Sequence, residues 1–321
     1  MSTAAIPLNR QPGYRDAFRH TALLYSGPDE FVERITEFIR DGLDLAEPVL
    51  VLVIAPKIEL LRDQLGPRAD EVLWGDMAEM GRNPGRIISR WREFLDGHSG
   101  RGRRVRGIGE PIWAERSAEE LVEAQRHESL INLAFIGAPA WVLCPYDVAA
   151  LDPVVIDEAF RSHPFVTSGG VDGYSETYRE LEEIGRPFAH PLSDPDASHE
   201  GIGLTTLGLS AMRHLVTTRA AQFGLTAKRV EDLVLAVNEV ATNSLRHGKG
   251  ASRLRLWTTA DAFICEVADE GGIDVPLAGR RRPSAGEDSG YGLWMANELC
   301  DLVEMRSFES GAVVRLRMNR R

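Results

Sequence analysis

Glu239, Asn243 and His247 follow one another at intervals of four within residues 231–248. The same segment carries Val230, Leu233, Val234, Val237, Ala241 and Leu245 at the spacing of a buried helical stripe. On a helix the three polar side chains stack turn above turn on the opposite face, with Asp232 close to their line. A carboxylate and a carboxamide one turn apart, over an apolar floor, suit a hydrated divalent cation carrying phosphates. Taken alone, the pattern also describes an ordinary amphipathic helix. Two further groups follow. Asp269-x-Gly271, with Gly272 beside it, ends a strand-like run. A carboxylate there can accept from an exocyclic amine, which adenine carries where guanine has an oxygen. The glycines let base and sugar come close to the backbone. Gly290-x-Gly292-Leu293 then opens a helical segment, whose first N–H groups and dipole favour phosphate. Each string is weak alone, but the three in this order point to a nucleotide site.

The elements that must hold these groups can be read from the same half. A helix over 204–223 ends at Gly224 in a left-handed cap, and Thr226 caps the next one. Strands follow at 253–258 and 263–269, then a long loop over 271–289, a helix over 290–299 and a hairpin over 302–318. This order predicts an α/β sandwich with helices on one face of a mixed sheet. The loop holds Arg280, Arg281 and Arg282, readable as a solvated run or as a source of an arginine for a terminal phosphate.

Between residues 20 and 164 short apolar runs alternate with helical periodicity, which indicates a layered α/β domain. Residues 49–54 are apolar on both faces, as in a central parallel strand. They run into Ala55-Pro56-Lys57-Ile58-Glu59, where Pro56 lacks the N–H that a phosphate loop would need. His20, Tyr25, Glu110, Glu128, Tyr146 and Asp147 are read at strand ends, where such sheets bind ligands, and each is also readable as a structural residue. Residues 162–173 and 186–203 are rich in Pro, Gly, Ser and Asp, with a short charged helix expected over 174–184. The domains expected are therefore 18–165 and 203–321, with a linker over 166–202.

Composition narrows the function classes. The 321 residues suffice for two domains, and a formal charge of −11 argues against a nucleic-acid-binding body. No apolar run approaches the ~20 residues of a membrane span, and the first residues carry no leader pattern, so a cytoplasmic location is expected. Cys144, Cys265 and Cys300 lie far apart without a CxxC pair, so neither a disulfide framework nor a structural zinc site is expected.

HTALLY (20–25), GLDLAEPVLVLV (42–53), GIGEPIW (107–113) and WVLCPYD (141–147) together resemble the MEDS sensory domain. The resemblance implies a RecA-like α/β core without a phosphate loop and an input role for an unidentified small-molecule signal. His20, Glu110, Tyr146 and Asp147 are the sensory-site candidates. EVATNSLRHG (239–248), GYGLWMANELCD (290–301) and GAVVRLRM (311–318) resemble the GHKL ATPase superfamily, and within it the bacterial anti-sigma-factor serine kinases. That resemblance implies the GHKL (Bergerat) sandwich, with ATP and Mg2+ as cofactors. Asn243 would hold the metal, Glu239 would act as catalytic base, and Asp269 would contact adenine beside Gly271 and Gly272. Gly290, Gly292 and Leu293 would wrap the phosphates, with His247 near the phosphates or the lid. Two positions depart from the pattern: the last glycine of the DxGxG box is displaced, and Ala312-Val313 stand where a threonine is common.

The function implied is an anti-sigma factor with serine kinase activity toward an anti-sigma-factor antagonist. Its partners would be that antagonist or a sigma factor, with a homodimer as a further option and no direct nucleic-acid or membrane partner. Two alternatives stay open. One is an ATP-dependent module that sequesters its partner without turnover. The other is a histidine sensor kinase using His214, although Met212-Arg213-His214-Leu215-Val216 lacks the acidic residue and proline expected after such a histidine.

Overall fold

Alternation of apolar strands and amphipathic helices builds the first of two units, Met1–Ile184, and a helix-backed sheet builds the second, Gly185–Arg321. The computed structural model describes residues 18–98, 103–179, 183, 188, 190–195, 199–273, 275–284 and 290–320.

In the first unit the chain runs β1 (Arg19–Tyr25), α1 (Gly27–Asp44), β2 (Val49–Val53), α2 (Ala55–Leu65), β3 (Leu73–Asp76), α3 (Met77–Met80) and α4 (Ile87–His98). It continues with β4 (Val105–Gly109), α5 (Ala118–Ala134), β5 (Ala140–Asp147), α6 (Pro153–Ser162), β6 (Phe165–Ser168) and β7 (Val171–Tyr174). The sheet order is β3-β2-β4-β5-β1-β6-β7, parallel except for β7. Every residue of β2 is buried, as a strand covered on both faces requires. β1 and β5 turn Leu23, Tyr25 and Leu143 into a core with Phe31, Ile35 and Ile39 of α1. Their alternate residues, including His20, Cys144 and Tyr146, therefore face the other side of the sheet. α2 starts directly after β2 with proline in its first turn, so no glycine-rich loop intervenes. α5 starts at a capping box, in which Ser117 Oγ accepts from Glu120 N–H and Glu120 Oε2 accepts from Ser117 N–H.

The stretch read as the start of a linker belongs to this sheet. β6 and β7 form a hairpin whose Gly169 and Gly170 both have positive φ, 55° and 78°. Two such glycines make a tight strand-reversing turn, and their composition imitates a domain boundary. Thr167 donates to Asp172 at 2.6 Å, and Asp172 pairs with Arg19 of β1 at 2.9 Å. Tyr174 ends β7 and residues 175–179 are not helical. The rest of the charged helix expected over 174–184 lies largely outside the described residues.

β4 reads VRGIG because Trp91 of α4 lies on it. A Cβ at Gly107 would stand 2.5 Å from the Trp91 ring. Gly107→Ala is therefore expected to destabilise this unit by about 1–3 kcal/mol through overpacking. Urea unfolding of the full chain measures it, and an unshifted midpoint would remove the packing argument.

The second unit runs β8 (Glu200–Gly203), α7 (Leu209–Phe223), α8 (Ala227–His247), β9 (Arg253–Thr258), β10 (Ala262–Asp269), α9 (Tyr291–Leu299), β11 (Leu302–Phe308) and β12 (Gly311–Asn319). The sheet order is β11-β12-β10-β9-β8, and every pairing is antiparallel, which corrects the mixed sheet expected. β8 adds an edge strand where a linker was expected, because Glu200-Gly201-Ile202-Gly203 carries no apolar run of its own. α7 begins at Leu209, later than its periodicity suggested, and Gly224 ends it with φ 99°. Thr226 occupies the N-cap position of α8 without a side-chain cap bond, contrary to the capping expected. Leu233, Val237 and Ala241 of α8 pack with Leu254, Cys265, Val267 and Leu316 of the sheet.

Candidate functional site

α8 keeps its two faces apart. Val230, Leu233, Ala236, Val237, Val240, Ala241 and Ser244 are buried, whereas Glu239 and Asn243 are half-buried and His247 is exposed in the last turn. α9 comes up against the polar side. A Cβ at Gly292 would lie 2.7 Å from Asn243 Nδ2, and 3.3 Å from both Cβ and Oε2 of Glu239. Glycine is thus the residue that lets the first turn of α9 reach the carboxylate–carboxamide pair. Gly290, at φ 97°, is the N-cap of α9 and offers no side-chain cap, so the first-turn N–H groups are not satisfied that way. Leu293 is half-buried against the core, and a Cβ at Gly279 would lie 2.9 Å from its Cβ.

The second group gathers at the C-terminal end of α8. Asp269 Oδ1 accepts the Gly271 N–H at 2.7 Å, and Glu270 N–H donates to Lys249 O at 3.0 Å. A Cβ at Gly248 would lie 2.7 Å from Asp269 Cγ, and one at Gly271 would lie 2.8 Å from Gly248 Cα. These glycines let the strand end and the helix end lie backbone to backbone. Gly272 is exposed, and Ala312 stands directly opposite Asp269 in the β10–β12 register. Both parts therefore meet on α8: Glu239 and Asn243 lie along its length with Gly292 of α9 against them, and Asp269 and Gly271 pack at its end.

The arginine run of the loop divides. Arg280 is fully buried, which corrects the solvated-run reading at that position, while Arg281 and Arg282 are exposed. Arg282 lies over the Trp294 ring at 5.5 Å. Asn297 Nδ2 donates to Gly279 O at 2.9 Å, tying the loop to α9. Residues 274 and 285–289 of the expected lid lie outside the described residues. His214 is exposed on α7, within the unit itself.

Residues 19–164 match the family model described as MEDS, the MEthanogen/methylotroph, DcmR Sensory domain. Residues 204–318 match the histidine kinase-like ATPase domain. The chain joins a MEDS domain to a histidine kinase-like ATPase domain. Among solved structures it is similar to the RsbU and RsbW domains of a Mycobacterium tuberculosis protein, at 18% identity and a TM-score of 0.30. That similarity covers 38% of this chain and 32% of the other, and carries no functional conclusion. No curated protein matches the chain. Among the described residues, no helix is long and apolar enough to cross a membrane.

In the MEDS domain the sensory candidates fall into two places. Glu110, just past β4, is buried and accepts from Tyr25 Oη at 3.1 Å and from Lys57 Nζ. Burial pushes its carboxyl up from the usual range, while the Lys57 ammonium and the Tyr25 hydroxyl oppose that shift. Burial, with Glu110 and Asp147 nearby, likewise raises the Tyr25 phenol. This cluster lies at the carboxyl ends of β1 and β4, where sheets of this kind place ligands. Asp147 ends β5, and its Oδ1 accepts from Ala149 N–H at 3.0 Å and Gly27 N–H at 3.4 Å, which is turn-forming work. His20 and Tyr146 belong elsewhere, on the α5 side of the sheet. His20 bonds Glu128, Asn132 and Cys144, and Tyr146 stands edge-on to His163 at 5.5 Å. Lys57, Asn132, Cys144 and His163 were not singled out as sensory candidates from the sequence. Asn132 alone left a signal there, standing four residues after Glu128 in a helical segment.

Proposed function

We propose that the chain is a signal-responsive serine kinase of the anti-sigma-factor type, in which the ATPase domain phosphorylates an anti-sigma-factor antagonist and the MEDS domain biases that activity. The observation that carries the reading is the approach of Gly292 to Asn243 and Glu239. A Mg-nucleotide fits the residues present. Asn243 offers a half-buried carboxamide oxygen for the metal, and the uncapped first turn of α9 offers N–H groups for phosphate. Asp269 keeps its second oxygen for the adenine amine, beside Gly271 and Gly272, and Gly290, Gly292 and Leu293 would wrap the phosphates. His247 would reach the phosphate edge from the last turn of α8. ATP supplies the phosphoryl group. Glu239, one turn from Asn243, would take the proton from the attacking serine hydroxyl. An effector of the MEDS domain would act by favouring one of two states of the chain.

The test is incubation of the full chain with ATP labelled on its γ-phosphate and a candidate antagonist. Label is expected on a serine of the antagonist. Glu239→Gln is expected to lower the transfer rate by about 10²–10⁴-fold with nucleotide affinity unchanged. Nucleotide binding with no transfer in the natural chain would support a sequestering module instead. Label retained on His214 would support a histidine kinase.

A further inference from the structure

α5 is an unusual helix. Residues 127–132 in its second half are buried without a break, His127, Glu128 and Asn132 among them, and Glu123 is buried one turn earlier. Charged and amide side chains are rarely buried this completely without a partner that explains them. Glu128 meets three other buried groups: His20 from β1, Cys144 from β5 and His163 from the turn after α6, all within 2% of full burial. His20 Nε2 lies 3.0 Å from Glu128 Oε2 and 3.3 Å from Cys144 Sγ. His163 Nε2 lies 3.0 Å from the same Glu128 oxygen. The four ligand-capable atoms all fall within 4.8 Å of one another.

The outer hydrogen bonds decide where the imidazole protons are. Asn132 Nδ2 donates to three backbone carbonyls, of Glu128, Ser129 and Ser162, which orients its amide and leaves Oδ1 as an acceptor. His20 Nδ1, 3.0 Å from that Oδ1, must then carry the proton. His163 Nδ1 lies 2.8 Å from Ala159 O, which only accepts, so it carries a proton too. In the neutral tautomers both Nε2 lone pairs therefore point at the Glu128 carboxylate and the Cys144 sulfur. Nε2 of His163 makes no hydrogen bond among the described residues despite its 3.0 Å approach, and neither does Glu128 Oε1.

Adding protons does not resolve the conflict, because two imidazolium rings at a centroid distance of 4.0 Å would repel each other.

We propose that His20, Glu128, Cys144 and His163 form a closed, structural binding site for a divalent transition-metal ion of the zinc type. Two neutral imidazoles, one carboxylate and one thiolate exactly balance a dication, so the buried site would carry no net charge. This donor set is one that zinc accepts, at bond lengths of about 2.0–2.3 Å, and a tetrahedron of that size has edges of roughly 3.3–3.8 Å. The shortest present separations would open slightly and the longest would close by about 1 Å. The second shell is already in place, because each ligating imidazole donates its other N–H to a carbonyl oxygen. With four protein ligands there is no open position for substrate, so the ion would pin β1, β5, α5 and the end of α6 together. Cysteine spacing gives no sign of such a site, since its one cysteine sits inside an apolar strand.

The test uses the full chain, stripped with a chelator and titrated with Co2+ and then Zn2+. One equivalent of Co2+ should bring up tetrahedral ligand-field absorption and a thiolate-to-cobalt charge-transfer band, both displaced by Zn2+. Cys144→Ser should lose the charge-transfer band, and Asn132→Ala should weaken metal binding by about 10–100-fold through the second shell. Metal analysis of chain purified without chelator should find close to one zinc per chain. A folded natural chain that shows no cobalt bands and holds no stoichiometric metal would overturn the proposal, whatever the variants do.

Discussion

Gly292→Ala is expected to weaken Mg-ATP binding by at least about tenfold, equivalent to about 1.4 kcal/mol, while leaving the ATPase domain folded. The added methyl would stand 2.7 Å from Asn243 Nδ2 and 3.3 Å from Glu239. Both are side-chain contacts, and the Asn243 amide is the end of a short, half-buried side chain that can swing aside. The strain is therefore relieved by moving the proposed metal ligand rather than by unfolding the helix. Alanine also improves on glycine within a helix by up to about 1 kcal/mol, so the melting temperature should hold or rise. Affinity and stability thus move in opposite directions, which general damage to the fold cannot produce. Titration with a fluorescent ATP analogue, alongside thermal melts of the same preparation, separates the two. Unchanged affinity would mean that the first turn of α9 does not bear on the nucleotide, and the proposed site would fall with it.

The local half of this site is legible in the sequence. Glu239 and Asn243 are one helical turn apart whatever the tertiary fold, and the apolar stripe of α8 tells which way they face. What no local pattern contains is the approach of Gly292, some fifty residues on, or the burial of Arg280 in a stretch that reads as solvated. The same division runs through the MEDS domain. Alternation of strands and helices declares an α/β layer, but the order β3-β2-β4-β5-β1-β6-β7 depends on pairings such as β1 with β5, more than a hundred residues apart. His163 hides in a Ser-His-Pro stretch with linker composition, and Cys144 in an apolar strand. The metal-type cluster exists only because four separate elements converge. A physical clue was still present: Glu128 and Asn132, polar residues four apart, stand in a helix whose polar and apolar residues are not sorted onto opposite faces.

The largest stability effect is expected at Glu266, far in chemistry from the nucleotide. Its neighbours on the adjacent strands are Arg255 of β9 and Arg315 of β12, and Arg315 is itself opposite Glu304 of β11. Opposite charges therefore alternate across four strands, on the sheet face turned away from Cys265, Val267 and the helices. Glu266 is buried, and each guanidinium takes a different oxygen in a paired contact: Arg255 reaches Oε1 at 2.8 and 2.5 Å, Arg315 reaches Oε2 at 3.0 and 2.8 Å. Glu266→Ala leaves two guanidinium groups on either side of the vacated position with no anion between them. The expected cost is about 3–5 kcal/mol, because breaking a buried pair strands the charge that remains. Glu266→Gln keeps an acceptor oxygen but removes the charge, and should cost about 1–3 kcal/mol. The telling variant is the double one. Adding Arg315→Met to Glu266→Ala removes one stranded cation, and Arg255 still has Asp194 at 3.0 Å. The double variant should therefore be more stable than Glu266→Ala alone, even though it deletes more native contacts. Urea unfolding of the three variants reads this directly. Additive losses, with the double variant the weakest, would show that the alternating row is not what Glu266 contributes.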